Sequence, residues 1–167
     1  ARRFFGFQAA VDQVVETAIE AMRAAGAIVV DPVDLRPGGR QAARASMGAA
    51  ETEVLLYEFK AGLNAYLAMR GPDAEVRSLA DLIAFNERHA ADEMPYFGQE
   101  RLLAAEEKGP LSDPAYLAAL AVASRLSGAE GIDQTMDAQQ LDAIIAPTGG
   151  PAWVTDLVNG DHFGGGS

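Results

Sequence analysis

The stretch LDAIIAPTGGPAW, residues 141–153, carries an apolar run directly into Thr148, Gly149, Gly150 and Pro151. A helix-compatible segment through DAQQ precedes it, so the reading is a helix feeding a short buried strand that ends in a flexible loop. Near the other end of the chain the same order recurs. Val11, Val14, Val15, Ala18, Ile19, Met22 and Ala25 fall at steps of three and four, with Asp12, Gln13, Glu16 and Glu20 between them, which predicts an amphipathic helix. Gly26 supplies a helix stop, and AIVVDPVDL follows as an apolar, β-branched run interrupted by Pro32. Two helix–strand units result. Both apolar runs are continuous rather than alternating, which is the pattern of strands covered on both faces. The fold class expected is α/β: mostly helical, with two short strands at residues 27–30 and 143–146.

Between these units the pattern is helical. RPGGRQAARAS, residues 36–46, reads as a loop from its Pro, its two glycines and its three arginines. A long helix is expected from about Glu51 to Met69, with Leu55, Phe59, Leu63, Tyr66 and Leu67 on one side, ending before Gly71 and Pro72. In SLAD, Ser78 caps the next helix with Asp81 three residues on, a short-armed capping box. In LSDPAY, Asp113 is the cap and Pro114 the first helical residue. That helix carries Leu117, Leu120 and Ala121, and Gly128 and Gly131 bend or interrupt it before Ile132 and Met136 resume the face.

At 167 residues the chain is read as one domain or partial domain, residues 1–167. Its 24 acidic and 13 basic residues give a net charge of -11, which repels nucleic-acid phosphates and anionic lipid, so neither is an expected partner. The absence of cysteine removes disulfides, thiol catalysis and thiolate metal sites together. No apolar run approaches the roughly 20 residues that span a bilayer, and the N-terminus lacks the features of a signal peptide, so the compartment expected is the cytoplasm. The first residue is not Met, which suits a processed product or a piece of something longer.

Few residues carry chemistry on their own. HAADE sets His89 four residues before Glu93, beside Asp92. Two or three such ligands can hold a metal, but a neutral His beside solvated acids is the commoner arrangement and zinc wants three or four ligands, so no metal is expected. In NGDHF, His162 neighbours Asp161 in sequence, and a turn closed by a side-chain hydrogen bond explains that as well. None of the serines lies in a G-x-S-x-G elbow, and the chain offers no placed Ser/His/Asp set. Lys60 and Lys108 are the only lysines, and Glu58, two residues from Lys60, does not share its helix face. The glycines at 149–150 fit neither the P-loop nor the dinucleotide fingerprint, so no nucleotide cofactor is expected. What remains is a loop at the C-terminal end of an apolar run, the place where ligands bind in open α/β sheets, or an ordinary turn.

Several pieces in order resemble a known family. LLYEFKAGLNAYLA (55–68), SLADLIAFNERHAADEMPYFGQE (78–100), DPAYLAALAVASRLSGAEGID (113–133), LDAIIAPTGGPAW (141–153) and NGDHF (159–163) together resemble the middle-to-late part of bacterial amidase signature enzymes, nearest those related to peptide amidase. The segment FFGFQAAVDQVVETAIEAMRAAGAIVVDPVDL also fits, so the resemblance covers nearly the whole chain.

The resemblance implies a larger mixed-sheet α/β/α fold, an acidic fragment of a longer enzyme, and hydrolysis of carboxylic amides by a Ser-Ser-Lys triad without cofactor. All three triad residues lie upstream of the matching region, so the resemblance assigns no catalytic residue here, and Ser167 in HFGGGS matches only a later Gly/Ser run. The implied partners are a small-molecule or peptide amide substrate and the remainder of the amidase chain. Thr148, Gly149 and Trp153 are the candidate substrate-binding residues, offering a hydroxyl, an open backbone and an aromatic face with an indole donor. A stand-alone, non-catalytic acidic helical interaction module is the alternative.

Overall fold

The computed structural model describes residues 5–6, 8–33, 35, 41–147, 154, 156 and 158. They form two compact units: Ala1–Leu35 with Gln134–Ser167, and Arg36–Asp133.

In the first unit, α1 spans Ala9–Ala24, with Ile19 buried. Gly26, at φ +97°, turns the chain out of the helix. Its N–H reaches Arg23 O at 2.9 Å and the N–H of Ala27 reaches Met22 O at 3.0 Å, the paired closure of a Schellman motif. The helix α7, Asp133–Gln139, ends the same way: Gln140 N–H bonds Asp137 O at 3.3 Å and Leu141 N–H bonds Met136 O at 2.9 Å. Here the left-handed position falls to Gln140, at φ 52°, where a side chain is strained and Gly would not be. The expectation of two helices, each closing into an apolar run, therefore holds for the helices.

It fails for the strands. Residues 27–30 and 143–146 form no strand, and apart from an isolated bridge at Asp156 no β-pairing occurs among the described residues, so the α/β class is corrected to a mostly helical one. The physical reason is that a strand exists only through a hydrogen-bonded neighbour, which β-branching and apolarity do not supply. The exposure of Ile28, at 93%, and of Ile145, at 41%, shows these runs without a covering layer.

The second unit is built around one helix. α2 spans Gln41–Ala68, beginning earlier than the loop-like composition of residues 36–46 suggests. α3 (Leu79–Arg88), a single turn α4 (Ala90–Glu93), α5 (Glu100–Glu106) and α6 (Pro114–Ser124) follow, and α3, α5 and α6 all pack on α2. Leu79 and Ile83 of α3 and Ala105 of α5 form a buried cluster, with Leu56, Leu63, Leu82 and Leu102 packed around it. Asn64 Oδ1 accepts the N–H of Leu79 at 2.7 Å, tying the start of α3 to α2. Tyr57 and Tyr116, with ring centroids 5.5 Å apart, join α2 to α6.

The expected caps are present. Ser78 Oγ accepts the N–H of Asp81 at 3.1 Å, and Asp113 Oδ1 accepts the N–H of Ala115 at 2.9 Å with Pro114 opening the helix. Beyond α6 the helix widens to a π-helical stretch, Arg125–Ile132. A Cβ at Gly131 would lie 2.6 Å from the carbonyl oxygen of Leu126, five residues back, so only glycine fits this wider turn. Gly131 thus changes the winding of the helix rather than ending it. Among the described residues no helix is long and apolar enough to cross a membrane.

Candidate functional site

The densest polar arrangement among the described residues joins α2 to the connection between α5 and α6. Glu53, Tyr57 and Lys60 lie at steps of four and three, one face of α2. Lys60 Nζ donates to the carbonyl oxygens of Glu106 and, at 2.9 Å, of Lys108, while Glu106 Oε1 lies 3.4 Å away. A cation at the last carbonyls of α5 satisfies groups the helix itself leaves open and complements its dipole. Glu106 Oε2 is buried without a hydrogen-bond partner. Lys108 Nζ donates to both oxygens of Glu53, at 2.7 and 2.8 Å, and sits 5.5 Å from the centre of the Tyr57 ring. Besides burial, Asp113, the cap of α6, acts on the Tyr57 hydroxyl, raising its pKa. Tyr116 donates to Glu58 Oε1 at 2.8 Å, so Glu58 serves α6 and not its sequence neighbour Lys60.

These contacts fix protonation states. The Glu53 hydrogen bond raises the Lys108 pKa against the opposing effect of burial. Burial first, then the hydrogen bond to Asp113, raises that of Tyr57, and the bond to Glu58 followed by burial raises that of Tyr116. A lysine acting as a general base must be neutral at working pH, whereas Lys108 is held as a cation. The cluster is a clamp between helices. Its stabilisation is present below the ordinary values of 10.0 for Tyr and 10.5 for Lys, and is lost as pH rises through the raised folded values. The urea midpoint of the chain should therefore hold steady from neutral pH and fall above about pH 10, and Glu53→Gln should lower the neutral midpoint and flatten the alkaline fall. An alkaline fall as steep in Glu53→Gln as in the parent would remove Lys108 from this role.

Other candidates do not assemble. His89 is exposed, with its ring stacked 4.2 Å from Phe85 and Nδ1 2.9 Å from Phe85 O. Asp92 and Glu93 are exposed in α4, and no group of three potential ligands comes together among the described residues. Thr148, Gly149 and Trp153, and likewise Asp161, His162 and Ser167, lie outside the described residues. The clamp was only half visible in sequence. The spacing of Glu53, Tyr57 and Lys60 marks a shared face, but the hydrogen-bond partners of Glu53 and Lys60 lie 46 to 55 residues away, at and beyond the end of α5.

No family model matches the chain. It is 36% identical over 135 residues to a probable amidase of Arabidopsis thaliana, a match covering 76% of this chain and 24% of that protein. Among solved structures it superimposes on the peptide amidase PAM in complex with the competitive inhibitor chymostatin, at 46% identity and a TM-score of 0.78, over 93% of this chain and 30% of that one. The native peptide amidase of Stenotrophomonas maltophilia matches at 48% identity and a TM-score of 0.71, over 85% of this chain and 27% of that one. The chain spans less than a third of the length of these relatives. Over nearly its whole length the chain is thus similar to a segment of known amidases, peptide amidases among them.

Proposed function

We propose that this chain is a segment of an amidase that hydrolyses the C–N bond of carboxylic amides, peptide amides among them. The observation that carries the reading is the match over 93% of the chain to a peptide amidase bound to a competitive inhibitor. In the full enzyme the chemistry is that of a Ser-Ser-Lys triad. A neutral lysine draws a proton through a bridging serine, the second serine attacks the amide carbonyl, and backbone N–H groups hold the oxyanion. Ammonia or an amine leaves and water releases the acid. The present chain supplies scaffold, since its two lysines are engaged in holding the end of α5 and the segment after it to α2. Its contribution to the substrate pocket is a wall at Thr148, Gly149 and Trp153, and its partners are the amide substrate and the remainder of the enzyme, in the cytoplasm. Ammonia release from peptide amides and simple aryl amides by the full-length protein tests the reading. Turnover of both, or of peptide amides alone, supports it, and turnover of neither rejects it.

A further inference from the structure

The face of α2 opposite its packed side carries a second apolar seam. From Gly48 to Met69 the positions step four, three, four, three, four, three through Thr52, Leu55, Phe59, Gly62 and Tyr66, and every one is exposed. Exposure runs from 44% at Phe59 to 78% at Met69 across the four large side chains. Such alternation averages 3.5 residues and keeps a seam nearly straight along a helix. Leu55, Phe59 and Tyr66 are thus separated from Leu63 and Leu67, which the sequence alone groups on one side; Leu67 is buried and Leu63 packs on the core. Half a turn away, Glu53, Tyr57, Lys60 and Asn64 hold α3, α5 and α6.

A helix apolar on both faces is the pattern of one buried within a larger structure. The seam carries no charge, and one of its two hydroxyls, Thr52 Oγ1, is already bonded to Gly48 O at 2.9 Å. Its two glycines are the more telling. Glycine weakens a solvated helix relative to alanine, and a Cβ at Gly48 or Gly62 would meet nothing within 4 Å. Nothing among the described residues requires glycine there. A second helix crossing at close range does, because interaxial distance is set by the side chains at the crossing.

We propose that the Gly48–Met69 seam receives a helix from the part of the parent amidase outside these residues, crossing α2 at Gly62. The occupant follows from the matched peptide amidase, in which the region like this chain is 30% of the whole, leaving most of that enzyme to pack against what is exposed here. The proposal rests on the amidase-segment reading above.

The test uses the full-length protein with Leu55→Cys, Phe59→Cys or Tyr66→Cys introduced singly, labelled with a maleimide and read by mass spectrometry on the α2 peptide; the 167 residues contain no cysteine of their own. Labelling should be at least about 100-fold slower in the native monomer than in urea-unfolded protein. Native rates within about tenfold of the unfolded rate overturn the proposal, and so does protection that vanishes on dilution, which would assign the seam to a second copy. Gly62→Leu gives an independent reading: a covered seam lowers the Tm of the full-length protein, whereas an open one leaves it unchanged or raised, since leucine favours helix. Ammonia release on the same preparations separates the two claims. A protected seam in an inactive protein supports the seam and rejects the amidase reading, while an active protein with a freely labelled seam does the reverse.

Discussion

Purified alone, the 167-residue chain should release no ammonia above background from any peptide or aryl amide. Acyl transfer needs a nucleophile, a base within hydrogen-bond reach and oxyanion donors aimed at the developing charge. The lysines are committed elsewhere: Lys60 to two backbone carbonyls and Lys108 to Glu53. Loss of the nucleophile or base of a serine hydrolase costs on the order of a millionfold in turnover, so the contrast with the full-length enzyme should be close to all or none. The measurement is a coupled ammonia assay on both proteins at equal molar concentration. Robust turnover by the short chain, abolished by Lys60→Ala or Ser167→Ala, would place the machinery where the sequence resemblance does not.

Leu79→Ala should be the most damaging single truncation in the second unit. Leu79 is 0% exposed and sits with Ile83 and Ala105 where α2, α3 and α5 meet. Removing a buried leucine side chain costs about 3 kcal/mol when the surroundings relax only in part. For a chain of this size that lowers Tm by roughly 10 °C, followed by helical circular dichroism. Ile28→Ala, at 93% exposed, is the matched comparison and should change stability by less than about 0.5 kcal/mol. Equal effects of the two substitutions would contradict the packing described for the unit.

What the sequence made legible was local. The stops at Gly26 and Gly71, the caps at Ser78 and Asp113 and Pro114 at the first turn of α6 all act within a few residues, and each lies where its chemistry places it. The strands at 27–30 and 143–146 were misread because their residues state a preference for burial and say nothing of a neighbour to pair with. The sidedness of α2 was misread for a related reason. Leu55 and Leu67 are both apolar, and only the positions of α3, α5 and α6 decide which one is covered. The clamp shows the limit on the functional side: Glu53 and Lys108 are ordinary surface residue types until folding brings them 2.7 Å apart. The likeness to amidases was legible because it rests on the order of whole segments rather than on one motif.

The role proposed for Thr148, Gly149 and Trp153 is to wall a substrate pocket whose machinery lies elsewhere in the enzyme. A crystal structure of the full-length protein with a bound peptide inhibitor tests it most directly. The account predicts the inhibitor in van der Waals contact with Thr148, Gly149 or Trp153, with the nucleophile and base both supplied from outside these residues and Lys108 still paired with Glu53. An inhibitor bound away from residues 148–153, or Lys60 or Lys108 within hydrogen-bond reach of the nucleophile, would contradict it.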